Sequence, residues 1–309
     1  YSKMRRFLFF FFVVNLFLIA CGRKELRNDL QQLYLQGEIK QIRTSSYTVL
    51  EKFDQIEKKS KTTERENTLL TFNEKGNQVE KTLFSPTDKP TRIYTYLYDM
   101  KGNRALVNET LDDGTLKKRY IYTYDDKGNR TEINTYSGDG IFLQKEKRTY
   151  DEKQNPLEED TYNGKGELEQ KQINIYDEKG LCIESNLYTP SGELKNRYTY
   201  SYDENKNMLE RKKYDKNGKI LANHTYTYSF DKRKNWTQRI EYLNGKAIYL
   251  TEREIEYGVG AKEQRQPVAQ MDTAPQKKFN YTVSVKNDWT AQELKGAVKT
   301  LRVRTYNAQ

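Results

Sequence analysis

A repeat of 26 residues runs through most of this 309-residue chain. The aromatic residue before one class of turn recurs in steps of 26 and finally 28, at Phe72, Tyr98, Tyr124, Tyr150, Tyr176, Tyr202 and Phe230. A second series, in phase with the first, recurs in steps of 26 and finally 27, at Gly114, Gly140, Gly166, Gly192, Gly218 and Gly245. A fixed period on this scale is typical of a repeat protein, in which the repeated unit determines the fold.

Each repeat contains two turn signals. The first is Tyr/Phe-Asp-x-x-Gly-Asn, as in residues 98–103, and it suits a type I turn followed by a residue with left-handed backbone. The second centres on Asp-Gly, Ser-Gly or Asn-Gly pairs, which are strong hairpin signals. The sequence therefore predicts an all-β fold, a repetitive antiparallel β-hairpin meander of about fourteen strands between residues 66 and 257.

Glycine closes the first class of turn in most repeats, at Gly76, Gly102, Gly128 and Gly180. We predict structural roles for these four residues because a left-handed backbone favours glycine. Gln154, Lys206 and Lys234 stand at the same place in three other turns. A side chain in that conformation costs about 1 kcal/mol, so we expect these three turns to be remodelled and to be weak points.

Tyrosine alternates along one strand of each repeat. Only 35% of the residues are hydrophobic and the mean hydropathy is −1.03, but the chain has 25 tyrosines, which favour strands and bury a large ring. Alternation places the rings on one face of an extended or curled sheet, which cross-strand pairs could hold in a single layer. Either the rings only pack, or they also form a binding face; the candidate binding residues are Tyr94, Tyr96, Tyr120, Tyr122, Tyr198 and Tyr200.

The N-terminus has the pattern of a bacterial lipoprotein signal peptide. A basic stretch at residues 4–6 precedes a 13-residue apolar run, Phe7 to Ile19, which is too short to span a bilayer comfortably. Leu18-Ile19-Ala20-Cys21 then resembles a lipobox, in which Cys21 would carry the lipid and become the new N-terminus. Gly22 follows in place of the aspartate that favours inner-membrane retention. We therefore expect an outer membrane-anchored lipoprotein that faces the periplasm or the cell surface.

The ends of the chain differ from the repeats. We predict a signal peptide at 1–21, a tether with a short helix at 22–36, the β-repeat array at 37–257 and a linker at 258–280. Residues 281–309 contain an echo of residues 35–43, so we expect them to begin a second, truncated repeat domain. Three residues precede the plausible start Met4, and we expect the natural chain to have different ends.

The sequence offers little material for catalysis or metal binding. His224 is the only histidine, and Cys182 is the only cysteine besides Cys21. We expect His224 to be solvated or partly packed and Cys182 to be a small buried residue. No cofactor or metal site is predicted. The net charge of +10 arises from Lys and Arg interleaved with Asp and Glu, which indicates a solvated face and no nucleic-acid partner.

The strings YDDKGNR, YDMKGNR and YDEKG resemble the YD repeats of the RHS family of bacterial surface and toxin-delivery proteins. The resemblance covers roughly residues 66–257 and implies β-hairpin strips in an extracytoplasmic protein. We therefore expect a non-catalytic scaffold that binds a glycan or a protein on its tyrosine-rich sheet. The alternative is an accessory or immunity-like relative of toxin-delivery systems, and an enzyme is a distant third.

Overall fold

The repeated turns build consecutive hairpins, and the computed structural model describes them for residues 28–53 and 55–258. Within these ranges the chain has one short helix, Asp29–Gln32 (α1), which does not have the length or hydrophobicity to cross a membrane. The strands are Ile39–Lys52 (β1), Gln55–Lys61 (β2), Thr68–Phe72 (β3), Gln78–Phe84 (β4), Pro90–Tyr98 (β5), Arg104–Leu111 (β6), Leu116–Tyr124 (β7), Arg130–Ser137 (β8), Phe142–Tyr150 (β9), Pro156–Asn163 (β10), Leu168–Tyr176 (β11), Cys182–Tyr188 (β12), Leu194–Tyr202 (β13), Met208–Tyr214 (β14), Ile220–Phe230 (β15), Trp236–Leu243 (β16) and Lys246–Tyr257 (β17).

The Asp-x-x-Gly-Asn turn is held by its own side chains. In the turn after β7, the Asp125 carboxylate accepts hydrogen bonds from the backbone N–H groups of Lys127 and Asn129, at 3.0 and 2.8 Å. The Asn129 amide donates to the other Asp125 oxygen at 2.8 Å, and the N–H of Gly128 donates to the Asp125 carbonyl at 3.0 Å. This network explains why Asp and Asn frame the turn in the sequence.

The three turns without glycine keep the same conformation, so the expectation that they are remodelled is wrong. The φ angles of Gln154, Lys206 and Lys234 are 65, 69 and 65°. The N–H of Gln154 donates to the Asp151 carbonyl at 3.0 Å, the same bond that Gly128 makes to Asp125. The hydrogen bonds of the turn therefore outweigh the cost of a side chain in the left-handed region.

The meander closes on itself. Each strand from β3 to β17 pairs antiparallel with the next, β17 pairs with β1, and β1 pairs with β3, so β1 and β3–β17 form a ring of sixteen strands. The strand β2 pairs with the last part of β1, from Tyr47 to Lys52. The expected antiparallel meander is confirmed, but the sheet is a closed barrel and neither extended nor open. Twist accumulates across many strands, and closure gives each of the sixteen ring strands a partner on both sides.

The tyrosines that alternate along one strand of each repeat, called the tyrosine ladder below, lie on the inner face of the barrel. Directly paired residues share a face, and Tyr96 is opposite Val107, which is in turn opposite Tyr120. Val107 is 3% exposed. Leu97 lies between Tyr96 and Tyr98 in β5, so its side chain points to the other face, and it is 47% exposed. The even-numbered residues of β5 therefore point inward, and the same register repeats around the ring.

Lys–Glu and Arg–Glu pairs cover the outer face. Glu132, Glu158, Glu184 and Glu210, which recur in the sequence, lie there and pair with Lys145 and Lys147, Lys171, Arg197 and Lys212. The second tyrosine series, Tyr136, Tyr162, Tyr188 and Tyr214, belongs to the same face by register. The outer wall thus carries many charged pairs, with exposed aliphatic side chains such as Leu97 and Ile175 among them.

An aliphatic cluster lies where the ring closes. Ile39 and Ile42 of β1 pack with Phe72 of β3 and with Leu30 of α1. Residues 28–37, called the strap below, cross this end of the barrel. The strap is fixed at one side by a hydrogen bond from Leu30 N–H to the Gly76 carbonyl at 3.1 Å, and at the other by two bonds of 2.8 Å between Gln36 and Asn235. It therefore lies over the end of the barrel that carries the Asp-x-x-Gly-Asn turns.

Candidate functional site

The six candidate binding tyrosines all line the interior. Tyr94 and Tyr96 on β5, Tyr120 and Tyr122 on β7, and Tyr198 and Tyr200 on β13 are half-buried on the inner face. The first four lie on nearby strands, whereas Tyr198 and Tyr200 lie on a separate part of the ring. The expected tyrosine face exists, but it is enclosed by the wall and can be reached only through the barrel ends.

The last inward tyrosine of a ladder has a structural role. Tyr124 donates its hydroxyl proton to the carbonyl of Arg104, 20 residues earlier, at 2.9 Å. The same bond, at distances between 2.6 and 2.9 Å, recurs at Tyr98, Tyr150, Tyr176, Tyr202 and Tyr228. Burial raises the pKa of Tyr124 to about 12, so the hydroxyl stays protonated and remains a donor. These tyrosines tie neighbouring strands together.

Inward arginines lie against the ladder. The guanidinium carbon of Arg104 is 4.4 Å from the ring centroid of Tyr96, and that of Arg130 is 5.6 Å from the ring of Tyr122. Burial raises the pKa of Tyr96 to about 12 despite the nearby Arg104 charge. The interior therefore presents ring faces, neutral hydroxyl groups and guanidinium groups side by side.

A buried carboxylate lies beside the first two ladders. Glu109 is 3% exposed and accepts a hydrogen bond from the Tyr120 hydroxyl at 2.7 Å. Arg92 forms an ion pair with the other Glu109 oxygen at 3.0 Å. Burial, and then the bond to Glu109, raise the pKa of Tyr120. Both oxygens of this carboxylate are thus engaged.

A second buried carboxylate holds the single histidine. His224 lies within β15 on the inner face, and its Nδ1 is 2.8 Å from Oε1 of Glu241. Arg65 reaches in from the loop before β3 and binds both Glu241 oxygens, at 2.8 and 2.9 Å. Burial acts to raise the pKa of Glu241, but Arg65 and His224 outweigh it and hold that pKa below its usual value of 4.5. The side chains of Arg65 and His224 thus hold this carboxylate from two sides.

These two clusters were not predicted from the sequence. The placement of His224 could have been found, because it is two residues before Tyr226 and four before Tyr228 and so shares the ladder face. Its partners could not, since Glu241 and Arg65 lie 17 and 159 residues away in a chain with 44 acidic residues. Only the register of β15 with β16 and the path of the loop bring them together.

The remaining predicted residues have simple surroundings. The turn glycines Gly76, Gly102, Gly128 and Gly180 have φ angles between 75 and 84°, where a side chain is strained. Cys182 is half-buried and its thiol donates to the Glu184 carbonyl at 3.2 Å; burial raises the pKa of the thiol. In the described ranges no group of three His, Cys, Asp or Glu residues is arranged to hold a metal ion.

Several predictions concern residues outside the described ranges. Cys21 and the signal peptide at 1–21 lie there, as do all but the first residue of the predicted linker and the whole of 281–309. The described residues belong to the first of two compact units of the chain, which ends at Lys262.

A cavity of 580 Å³ lies beneath the strap. Its walls are strap residues 33–36, the turns after β13 and β15, and the inward side chains of β15–β17, among them Tyr228, Trp236, Arg239 and Arg253. Basic side chains outnumber carboxylates in this lining. The cavity combines aromatic rings with positive charge at one end of the tyrosine-lined interior.

No family model and no curated protein matches this sequence. A porin-like protein from Bacteroides uniformis ATCC 8492 is 12% identical with a TM-score of 0.46, over 72% of this chain and 98% of that one. A porin-like protein from Bacteroides vulgatus ATCC 8482 gives 10% and 0.30, over 70% and 99%. The Photorhabdus luminescens Tc holotoxin pore gives 17% and 0.29, over 68% of this chain and 11% of that one. At these TM-scores the likenesses carry no argument about what this chain does.

Proposed function

We propose that this protein is a non-catalytic lipoprotein of the outer membrane whose barrel binds a glycan along its tyrosine-lined interior. The observation that supports this function is the enclosure of the six ladder tyrosines on one face beside inward arginines, such as Arg104 on Tyr96. Aromatic faces with adjacent hydrogen-bond donors suit sugars, which have both apolar ring faces and polar edges.

Enclosure favours a glycan over a folded protein partner. The wall is continuous around the ring, so a ligand reaches Tyr122 or Tyr200 only by entering at an end. A narrow, extended chain can do so, whereas a folded protein surface cannot. Sixteen strands are enough to leave room between the walls in barrels of this kind.

The outer wall favours a barrel that lies in water beside the membrane. Ion pairs such as Lys171 with Glu158 cover the face that a lipid-embedded barrel would need to keep apolar. Cys21 of the lipobox would then supply the membrane attachment, and the strap begins seven residues later, at Asn28. We place the barrel on the periplasmic or surface side of the outer membrane, with no nucleic-acid partner.

The two buried carboxylate clusters, around Glu241 and Glu109, favour binding without catalysis. Both oxygens of Glu241 are held by Arg65 and His224, and both oxygens of Glu109 by Arg92 and Tyr120. A general base needs a free lone pair directed at the substrate. We therefore propose a binding protein that needs no cofactor.

The test measures glycan binding and stability together. Wild type, Tyr122→Ser and Tyr200→Ser are screened on a glycan array and then titrated with the best oligosaccharide. Tyr214→Ser is the matched control, because Tyr214 also lies under a guanidinium, that of Arg197 at 4.2 Å, but on the outer face. The inward substitutions are expected to weaken binding by about tenfold, since stacking on one ring contributes about 1 kcal/mol or more.

Two results would contradict the proposal. One is the absence of binding to any glycan by the folded wild type. The other is binding that survives both inward substitutions while thermal unfolding shows that each variant is folded at the temperature of the titration. In that case the rings would serve the structure of the wall alone.

A further inference from the structure

The cavity beneath the strap is strongly basic. Lys206, Arg233, Lys234, Arg239 and Arg253 line it, against one carboxylate, that of Glu204. Glu204 is exposed on the turn after β13. Such an excess of one charge in a cleft attracts ligands of the opposite charge.

Some of these cations already have aromatic partners near the cavity rim. The Lys206 ammonium is 4.4 Å from the ring centroid of Tyr34 in the strap, and the Arg233 guanidinium carbon is 4.4 Å from the ring of Tyr257. These contacts connect the turns after β13 and β15 to the strap and to β17. They help to hold the cavity in shape.

Arg239 and Arg253 differ from the rim residues. Their guanidinium carbons are 5.3 and 3.5 Å from the ring of Trp236, on the inner face of the wall. Neither forms an ion pair with a carboxylate in the described part of the chain, and the Nε atom of each is buried without a hydrogen-bond partner. Burial and the neighbouring Arg239 charge lower the pKa of Arg253 to about 9.

A guanidinium that stacks on an indole ring directs its N–H groups away along its own plane. That edge matches the two oxygens of a carboxylate or phosphate group. The charge of Arg239 acts unfavourably on Arg253, and an oxyanion within reach of both guanidinium groups would offset that repulsion. Trp236 and Tyr228, whose ring centroids are 6.0 Å apart, supply aromatic surface beside the two charges.

We propose that Arg239 and Arg253 form a binding site for the oxyanion of an acidic sugar, with the sugar ring against Trp236 and Tyr228. The oxyanion is the carboxylate of a uronic acid or a phosphate ester. This assignment rests on the proposed binding of a glycan in the interior and names its chemical class, an anionic saccharide whose charged end lies beneath the strap.

The experiment titrates the full chain with glucuronate, glucose 6-phosphate, glucose and inorganic phosphate, and follows heat and Trp fluorescence. The two acidic sugars are expected to bind at least about tenfold more tightly than glucose, because a buried charged hydrogen bond contributes about 1.5 kcal/mol or more. The stronger of the two identifies the carboxylate or the phosphate as the natural group. Raising the salt concentration is expected to weaken the binding of the acidic sugars and to leave the binding of glucose unchanged.

Arg239→Gln and Arg253→Gln are expected to lower the affinity for the acidic sugars by about tenfold and to leave glucose binding unchanged. Arg239→Lys keeps the positive charge but lacks the two parallel N–H donors of the guanidinium, and it is expected to lower the affinity for the acidic sugars as well. Lys232→Gln is the matched control, because Lys232 is an exposed cation of the turn after β15 that does not line the cavity, and it is expected to change affinity by less than about threefold. Because Arg253→Gln removes one of two repelling charges, we expect its melting temperature to be no lower than that of wild type.

Equal affinity for glucose and the acidic sugars, or acidic-sugar binding that Arg239→Gln and Arg253→Gln leave intact, would overturn the acidic-group site. Glycan binding through the tyrosines would stand in that case. The absence of binding to any sugar would instead reject the proposed function, and this assignment with it. Binding of inorganic phosphate without binding of any sugar would also reject both, since it would show an anion site that does not bind a saccharide.

Discussion

Two parts of the same wall are held together by different means. Where β17, β1 and β3 close the ring, Ile39, Ile42 and Phe72 pack with Leu30 in an aliphatic cluster. Along the repeats the inner face instead has tyrosines, arginines and buried carboxylates such as Glu109. The closure pairs strands that no hairpin turn connects, and so depends on packed side chains. The repeats carry their register in each turn and can leave their inner face polar.

Replacing Ile42 with Ala is expected to have the largest effect on stability. Ile42 is fully buried at the closure, and a cavity there should cost about 3 kcal/mol of unfolding free energy. Ile175→Ala is the control within the repeats, because Ile175 is 47% exposed on the outer face, and it should cost less than about 1 kcal/mol. Urea unfolding of both variants measures the difference. Equal losses would mean that the closure is no more dependent on packing than the rest of the wall.

Replacing Glu241 with Gln is expected to cost about 2 kcal/mol, because Arg65 would lose its buried carboxylate partner. Glu210→Gln, which breaks the outer pair with Lys212, should cost less than about 1 kcal/mol. Urea titrations compare the two.

The effect of Glu241→Gln should depend on pH in a defined direction. The folded protein lowers the pKa of Glu241, so this carboxylate stabilises the fold fully above pH 4.5, its usual pKa. That stability is lost as the pH falls through the lower pKa of the folded state. The difference between wild type and Glu241→Gln should therefore shrink in acid. A difference that is constant from neutral pH to acid would contradict the charged role of Glu241.

The smallest expected effects compare two turns of the repeats. Gly102 has a φ of 84° with open space around an added Cβ, so Gly102→Ala should cost about 1 kcal/mol through backbone strain alone. Gln154 has a φ of 65° in the equivalent turn, and Gln154→Gly should gain about 0.5 kcal/mol, because glycine removes strain but adds freedom to the unfolded chain. Thermal unfolding of both variants tests this. A loss of stability in Gln154→Gly would show that the side chain is favourable there.

Much of the fold could be predicted from the sequence, because each turn specifies itself locally. The Asp125 carboxylate and the Asn129 amide complete their hydrogen bonds within five residues, so the pattern alone indicates the hairpin. Closure could not be predicted, since it depends on how much twist accumulates over many strands and on β1 pairing with both β17 and β3. Alternation placed the six tyrosines on one face, but which face is the inner one follows only from closure.

The candidate site could be predicted only in part, for a related reason. Tyr122 and Tyr200 are visible as a pattern, and so is His224 two residues before Tyr226. The clusters around Glu241, Glu109 and Arg253 join side chains from separate strands and loops. In a chain with 98 charged residues, no local signal distinguishes these few from those of the solvated outer wall.

The closed ring imposes a rule of parity on how such a barrel can change in size. Each 26-residue repeat contributes two strands, and β1 pairs antiparallel with both β17 and β3. Duplication or loss of a whole repeat changes the circumference by two strands and leaves both closing pairs antiparallel. Half a repeat would reverse the direction of the last strand and bring it parallel to its partner. The barrel can therefore be widened or narrowed only by whole hairpins. The same closing strands would fit a ring of about fourteen strands, one repeat fewer, or about eighteen strands, one repeat more.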